Sequence, residues 1–117
     1  MSIKLNKPAI IIYCYDLERN SSLNNVLWGI EEEGVPYILE KTSEKCSIKL
    51  SHKAAKESKL GVGIGIGNDS SICLHYSKLN LDDYLFKINL NSNEEQLRAI
   101  GSNAARLIKG ISFKEIL

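Results

Sequence analysis

The stretch that decides the fold is Ala9-Ile10-Ile11-Ile12-Tyr13-Cys14-Tyr15, which directly follows Pro8. It is dense in β-branched and aromatic residues, and it is apolar at odd and even positions alike. A strand with one solvated face alternates between apolar and polar residues, whereas a strand covered on both faces does not. The run therefore predicts a buried central strand in a sheet that has helices on both sides.

Outward from this strand, helical and strand patterns follow one another along the chain. The other predicted elements are a polar loop at Asp16–Asn20, a helix from about residue 21 that Gly34 ends, a strand at 35–41, a helix at 43–58, strands at 60–66 and 71–76 joined as a hairpin, a strand at 84–90, and a last helix with a capping box from Ser92 to Glu95 that Gly110 ends. The order β-α-β-α-β-β-β-α predicts an α/β fold, a three-layer single domain over residues 1–117 with its core at about 8–113. Its mixed sheet should have about five strands flanked by helices.

Composition excludes several classes of protein. The chain has 117 residues, of which 44% are apolar and 25% charged, as in a soluble globular domain. A net charge of +1 argues against a nucleic-acid-binding face, and no apolar run is long enough for a membrane span or a secretory signal. Cys14, Cys46 and Cys73 are odd in number and widely spaced, which fits a reducing compartment. We therefore expect a cytoplasmic protein that binds neither nucleic acid nor membrane.

Three consecutive glutamates, Glu31, Glu32 and Glu33, lie at the end of the first predicted helix. A helix C-terminus carries partial negative charge, so each exposed carboxylate there is disfavoured by about 0.3–1 kcal/mol. The triplet is either a solvated acidic turn screened by salt, or a group that meets a metal ion or a partner's basic side chain. Trp28 lies off the apolar stripe of the same helix, as a partner anchor or as a rim residue of the core.

Glycines alternate with Val and Ile in Gly61-Val62-Gly63-Ile64-Gly65-Ile66-Gly67. A phosphate loop needs a glycine turn that leads into a helix N-terminus, whereas alternation is the period of a strand. The segment therefore predicts a strand with one face bare of side chains. Such a face lets a helix, a ligand or another subunit come close, and we favour close packing within the chain.

The sequence gives only weak evidence for a catalytic site. Cys73 and His75 share one face of a predicted strand, and such a pair can form a nucleophile or half a metal site. The sequence shows no third residue to orient them, which favours a buried cysteine and a satisfied, half-buried histidine. His52 lies among lysines and is expected on the surface, and Asp82 and Asp83 are expected in a turn. The residues alone indicate a protein that binds something.

Four segments in register resemble one family: Gly29–Pro36, Ala54–Ile64, Leu74–Tyr76 and Asn103–Phe113. The resemblance runs from about Pro8 to Phe113. It is to the small subunit of the reactivating factor for adenosylcobalamin-dependent diol and glycerol dehydratases, also described as a dehydratase medium-subunit-like protein.

The resemblance implies a non-catalytic subunit that pairs with a large subunit containing an actin-like ATPase core. The complex would release damaged cobalamin from inactivated dehydratase, after the small subunit exchanges with a dehydratase subunit of similar fold. It also implies that Glu32 ligates a divalent ion, expected to be Mg²⁺, at the contact with the large subunit. Trp28, Glu31 and Glu33 would lie near that contact. No cofactor is expected in the isolated chain.

Two other functions stay open. A structural or cobalamin-site subunit of a B12-dependent dehydratase would show visible absorbance, although 117 residues is a short chain to close over a corrin. A small enzyme that uses Cys73 and His75 would have a reactive thiol at neutral pH. A homodimer in the absence of the partner is a further expectation, because the first helix and the glycine face would then be uncovered.

Overall fold

The computed structural model describes residues 7–15 and 21–116, and the predicted loop Asp16–Asn20 lies outside them. The elements are β1 (Ile10–Cys14), α1 (Ser21–Glu32), β2 (Tyr37–Lys41), α2 (Ser47–Glu57), β3 (Val62–Ile66), β4 (Ser71–Tyr76), β5 (Phe86–Asn89) and α3 (Glu94–Lys109). Their order is the predicted one. Among the described residues, no helix is both long and apolar enough to cross a membrane.

The five strands form one mixed sheet in the order β2-β1-β3-β4-β5. β1 pairs in parallel with β2 and β3, whereas β3, β4 and β5 pair antiparallel. All residues of β1 are buried. The prediction of a buried inner strand is therefore confirmed, although β3 rather than β1 holds the middle position.

Helices cover both faces of the sheet. Ile10 and Ile12 of β1 pack in the larger core cluster with apolar residues of α1 and α3. Ile11 and Tyr13 point the other way and pack with Leu50 of α2. This arrangement confirms the three-layer α/β fold.

The bare face of β3 lies against α2. A Cβ atom on Gly63 would come within 2.2 Å of the Ala55 backbone nitrogen, and one on Gly65 within 2.4 Å of the Ser51 nitrogen. These distances leave no room for a side chain, so the glycines let the helix backbone approach the sheet directly. Close packing within the chain, the favoured interpretation of the alternating glycines, is confirmed.

A second pair of glycines brings α1 and α3 together. A Cβ atom on Gly101 would lie 2.0 Å from the Val26 carbonyl oxygen, and one on Gly29 would lie 2.1 Å from the Arg98 carbonyl oxygen. The Ser102 hydroxyl donates a hydrogen bond of 3.2 Å to the Gly29 carbonyl oxygen across the same contact. α1 is therefore fixed to α3 along its inner side.

Two helix starts differ from the prediction. α2 begins at Ser47 rather than near residue 43, because the Glu44 carboxylate accepts hydrogen bonds from the Lys45 and Cys46 backbone nitrogens and holds a turn there.

The capping box predicted at Ser92 and Glu95 is wrong by one residue. Asn93 Oδ1 accepts from the Gln96 nitrogen at 2.8 Å, and Gln96 Oε1 accepts from the Asn93 nitrogen at 3.3 Å. Ser92 instead donates its backbone N–H to the Asn89 carbonyl oxygen in the turn after β5. Gly110 ends α3 in the left-handed conformation, as predicted.

Candidate partner interface

One side of α1 meets Arg98 of α3 at the protein surface. Asn25, Trp28 and Glu32 are spaced by three and four residues, so they share one face of the helix. Arg98 Nη2 donates to Asn25 Oδ1 at 3.1 Å, Arg98 Nε lies 3.4 Å from Glu32 Oε1, and the guanidinium carbon lies 5.8 Å from the centre of the Trp28 ring. We call these four residues the Arg98 cluster.

The outer part of the Arg98 cluster is open to solvent. Trp28 is 46% exposed, and the side chains of Glu32 and Arg98 are 51% and 42% exposed. Exposed Trp and Arg side chains are the types most enriched among residues that dominate binding energy at protein interfaces. The cluster can therefore serve as an anchor for a partner, with a carboxylate at its edge.

Glu33, next to Glu32, is instead committed within the chain. Its carboxylate accepts from Lys109 Nζ at 2.9 Å and from Arg106 Nε at 3.0 Å, and its side chain is only 12% exposed. Hydrogen bonds from Lys109 and then from Arg106 hold the pKa of Glu33 below its ordinary value. These two cations offset the unfavourable charge of Glu33 beside the helix end.

Glu31 is exposed and accepts a hydrogen bond of 3.1 Å from the Tyr37 hydroxyl. The three glutamates thus have three different neighbours and do not converge. Within residues 7–15 and 21–116, no group of three His, Cys, Asp or Glu side chains could hold a metal ion. Carboxylate oxygen is the ligand that Mg²⁺ prefers. Glu32, held by one long ion pair, could therefore supply only a single ligand, and the others would have to come from another molecule.

Cys73 and His75 do share one side of β4, but both are completely buried beneath α2. Burial raises the pKa of the Cys73 thiol to about 11, which disfavours the reactive thiolate. The Tyr76 backbone nitrogen donates to His75 Nδ1 at 3.0 Å, which leaves Nε2 to donate to the Leu81 carbonyl oxygen at 3.0 Å. His75 is therefore satisfied as predicted, but more deeply buried than the expected half.

The surface position predicted for His52 is wrong. Its ring is half-buried and meets the His75 ring edge-on, with the ring centres 5.0 Å apart. Burial and then the nearby His75 lower the pKa of His52. Asp82 and Asp83 are exposed, and the Asp83 nitrogen donates to the Asn80 carbonyl oxygen, so the predicted turn is confirmed.

The chain is similar in sequence to proteins of one known family. A sequence model of the dehydratase medium subunit family matches residues 7–114. The propanediol dehydratase-reactivating factor small subunit of Citrobacter freundii is 37% identical, over 98% of this chain and 97% of that protein. The corresponding protein of Salmonella typhimurium is 36% identical, over 93% of this chain and 92% of that protein.

Solved structures agree with the sequence comparison. A chain of the diol dehydratase-reactivating factor complexed with ADP and Mg²⁺ superimposes with a TM-score of 0.86 at 35% identity, covering 93% of this chain and 99% of that chain. A chain of a glycerol dehydratase reactivase superimposes with a TM-score of 0.89 at 28% identity, covering 95% of this chain and 100% of that one. The chain therefore belongs to the dehydratase medium subunit family, as a relative of the small subunits of diol and glycerol dehydratase-reactivating factors.

Proposed function

We propose that this chain is the non-catalytic small subunit of a reactivating factor for an adenosylcobalamin-dependent diol or glycerol dehydratase. The observation that carries the proposal is likeness over almost the whole length of both chains, in sequence and in fold, to small subunits of such factors. The buried state of Cys73 and His75 supports a binding role over the alternative of a small thiol enzyme.

The Arg98 cluster is the surface that we assign to the large, ATPase subunit. It combines an exposed tryptophan, Trp28, with the least committed carboxylate of the glutamate triplet, Glu32. The related diol dehydratase-reactivating factor was solved with ADP and Mg²⁺, so complexes of this kind do hold the cation that we assign to the contact. Bound there, Mg²⁺ would link the Glu32 carboxylate to ligands of the large subunit. Glu31 would lie beside the contact, and Glu33 would stabilise the end of α1 through its ion pairs with α3.

In this function the small subunit leaves the large subunit, a dehydratase subunit takes its place, and damaged cobalamin is released. The family's description as a dehydratase medium subunit supports a fold that the two exchanging proteins share. The same description is the one observation that favours the alternative, a structural or cobalamin-site subunit of the dehydratase itself. Visible absorbance of bound cobalamin in the purified chain would favour that alternative, and its absence would favour the reactivating factor.

The test is assembly with the large subunit of a reactivating factor from the same source, measured by size exclusion with Mg²⁺ and ADP. We expect a stable complex, which Glu32→Ala weakens without unfolding the chain. Asp82→Ala, which removes an exposed carboxylate from the connection between β4 and β5, is the matched control and should assemble like the wild type. Failure to form a complex with any nucleotide would contradict the proposed function, and unchanged assembly of Glu32→Ala would contradict the role of Glu32.

A further inference from the structure

Arg98 is held in place independently of Glu32. Its Nη2 donates to Asn25 Oδ1, and Asn25 is itself buried and donates through Nδ2 to the Ser21 carbonyl oxygen at 2.9 Å. The guanidinium also lies over the Trp28 ring, a favourable cation–π arrangement. These contacts keep the positive charge next to α1 whichever group Glu32 meets.

The contact between Arg98 and Glu32 is different in kind. Arg98 Nε is shielded from solvent, and it has no hydrogen-bond partner among the described residues even though Glu32 Oε1 is 3.4 Å away. The two groups therefore attract each other by charge without a directional hydrogen bond. Although this one nitrogen is shielded, the Arg98 and Glu32 side chains are 42% and 51% exposed as a whole. An ion pair between side chains as exposed as these is weak, so the carboxylate can leave it at little cost.

We propose that Arg98 is a positioning residue that neutralises Glu32 in the free subunit and gives up this carboxylate to the divalent cation when the large subunit binds. The inference rests on the proposed function of the chain. Because Arg98 stays anchored by Asn25 and Trp28, its charge remains close to Glu32 and opposes a cation there. Arg98 thus makes the carboxylate available only when the large subunit supplies the remaining ligands.

The experiment is a Mg²⁺ titration of complex formation with the large subunit in ADP, followed by size exclusion. Arg98→Met keeps the aliphatic stem but removes the charge, and we expect it to lower the Mg²⁺ concentration at half-maximal assembly by about two- to fivefold. Arg98→Lys keeps the charge and should retain the wild-type midpoint. Arg106→Met removes a cation of the same helix that pairs with Glu33 instead, and it should leave the midpoint unchanged.

The fluorescence of Trp28 and the direction of the midpoint shift together separate a positioning role of Arg98 from a general loss of structure. Trp28 is the single tryptophan of the chain, so its emission in the free subunit should change in Arg98→Met and stay unchanged in Arg106→Met. A structural defect would weaken assembly at every Mg²⁺ concentration, rather than shift the midpoint downwards.

The outcomes also distinguish the inference from the function on which it rests. An unchanged or raised midpoint in Arg98→Met would overturn the inference alone, provided that Glu32→Gln abolishes the Mg²⁺ dependence. If Glu32→Gln has no effect, the role of Glu32 and the inference both fail. If the wild type forms no complex, the proposed function fails with them.

Discussion

The two sides of the sheet use glycine for the same purpose but differ in what they leave exposed. On one side, α2 lies directly on the bare face of β3, where Gly63 and Gly65 leave no room for a Cβ atom. On the other side, α1 and α3 pack on large apolar residues and touch each other through Gly29 and Gly101.

The polar side chains on the two sides of the sheet also differ in how they are satisfied. Beneath α2, polar side chains find their partners within the chain: Ser47 Oγ lies 2.5 Å from Ser71 Oγ, and the two nitrogens of the buried His75 bond to backbone groups of Tyr76 and Leu81. At the outer edge of α1, Trp28 and Glu32 remain exposed. The α2 side therefore serves the fold alone, whereas the α1 side leaves exposed the groups that we propose bind the large subunit.

The largest effect on stability is expected at the glycines that let helix backbones approach their neighbours closely. In Gly65→Ala and Gly101→Ala, the new Cβ atom would meet backbone atoms at 2.4 Å and 2.0 Å, so each should lower the free energy of unfolding by about 3 kcal/mol or more. Gly34→Ala is the control, since its Cβ would meet nothing within 4 Å in the described part of the chain. Its cost is the positive φ of 76°, about 1–2 kcal/mol.

Urea unfolding of the three variants measures these differences. If Gly65→Ala alone were severe, the α1–α3 contact would be looser than the structure shows. If neither Gly65→Ala nor Gly101→Ala were more destabilised than Gly34→Ala, close packing through glycine would be wrong on both sides.

An intermediate effect on the free energy of unfolding is expected for substitutions in the glutamate triplet. Glu33→Gln removes a carboxylate bonded to Lys109 and Arg106 and should cost about 1–2 kcal/mol at pH 7. Glu32→Gln, at an exposed pair 3.4 Å apart, should cost less than about 0.5 kcal/mol.

At acid pH, the difference in the free energy of unfolding between wild type and Glu33→Gln should disappear. The pKa of Glu33 is lowered in the folded chain, so the unfolded state takes up a proton first as the pH falls. The extra stability of the wild type is complete above the ordinary carboxyl pKa of about 4.5 and disappears as the pH falls through the lowered value. Equal stability of Glu32→Gln and Glu33→Gln at pH 7 would contradict the distinction between the two carboxylates.

The smallest expected effect on stability comes from His52, on the α2 side of the sheet. Burial and His75 lower the pKa of His52 in the folded chain, so the wild type should lose stability as the pH falls below 6.5, by less than about 1 kcal/mol. His52→Gln cannot take up this proton, so its stability should change less over the same range. Thermal unfolding between pH 7.5 and 5.5 measures the difference. Identical pH dependence in both proteins would show that His52 is more exposed than the structure indicates.

Sequence patterns predicted the elements and the layers because both depend on local periodicity. The glycines that alternate from Gly61 to Gly67 also predicted the close approach of a neighbour, because four glycines at a period of two leave one face of a strand empty. Gly29 and Gly101 could not be interpreted in this way. A single glycine inside a helix gives no periodic signal, and the two lie far apart in the chain.

The candidate interface was only partly predictable for the same reason. Trp28 and the glutamate triplet stand out locally, since one lies off the apolar stripe and the other opposes the helix dipole. The partners that distinguish Glu32 from Glu33, namely Arg98, Arg106 and Lys109, lie on α3. Their positions follow from the crossing of two helices, which no local pattern specifies. His52 was misplaced because a neighbouring histidine from β4 covers one side of its ring.

The central claim is that Glu32, and not its neighbour Glu33, connects the chain to a large subunit through a divalent cation. The most direct test is the affinity of wild type, Glu32→Gln and Glu33→Gln for the large subunit in ADP, measured by calorimetry with Mg²⁺ and with EDTA. We predict that Mg²⁺ strengthens binding of the wild type and of folded Glu33→Gln, and that Glu32→Gln binds with the same weak affinity in both solutions. If Glu32→Gln responded to Mg²⁺ like the wild type, the account would be contradicted.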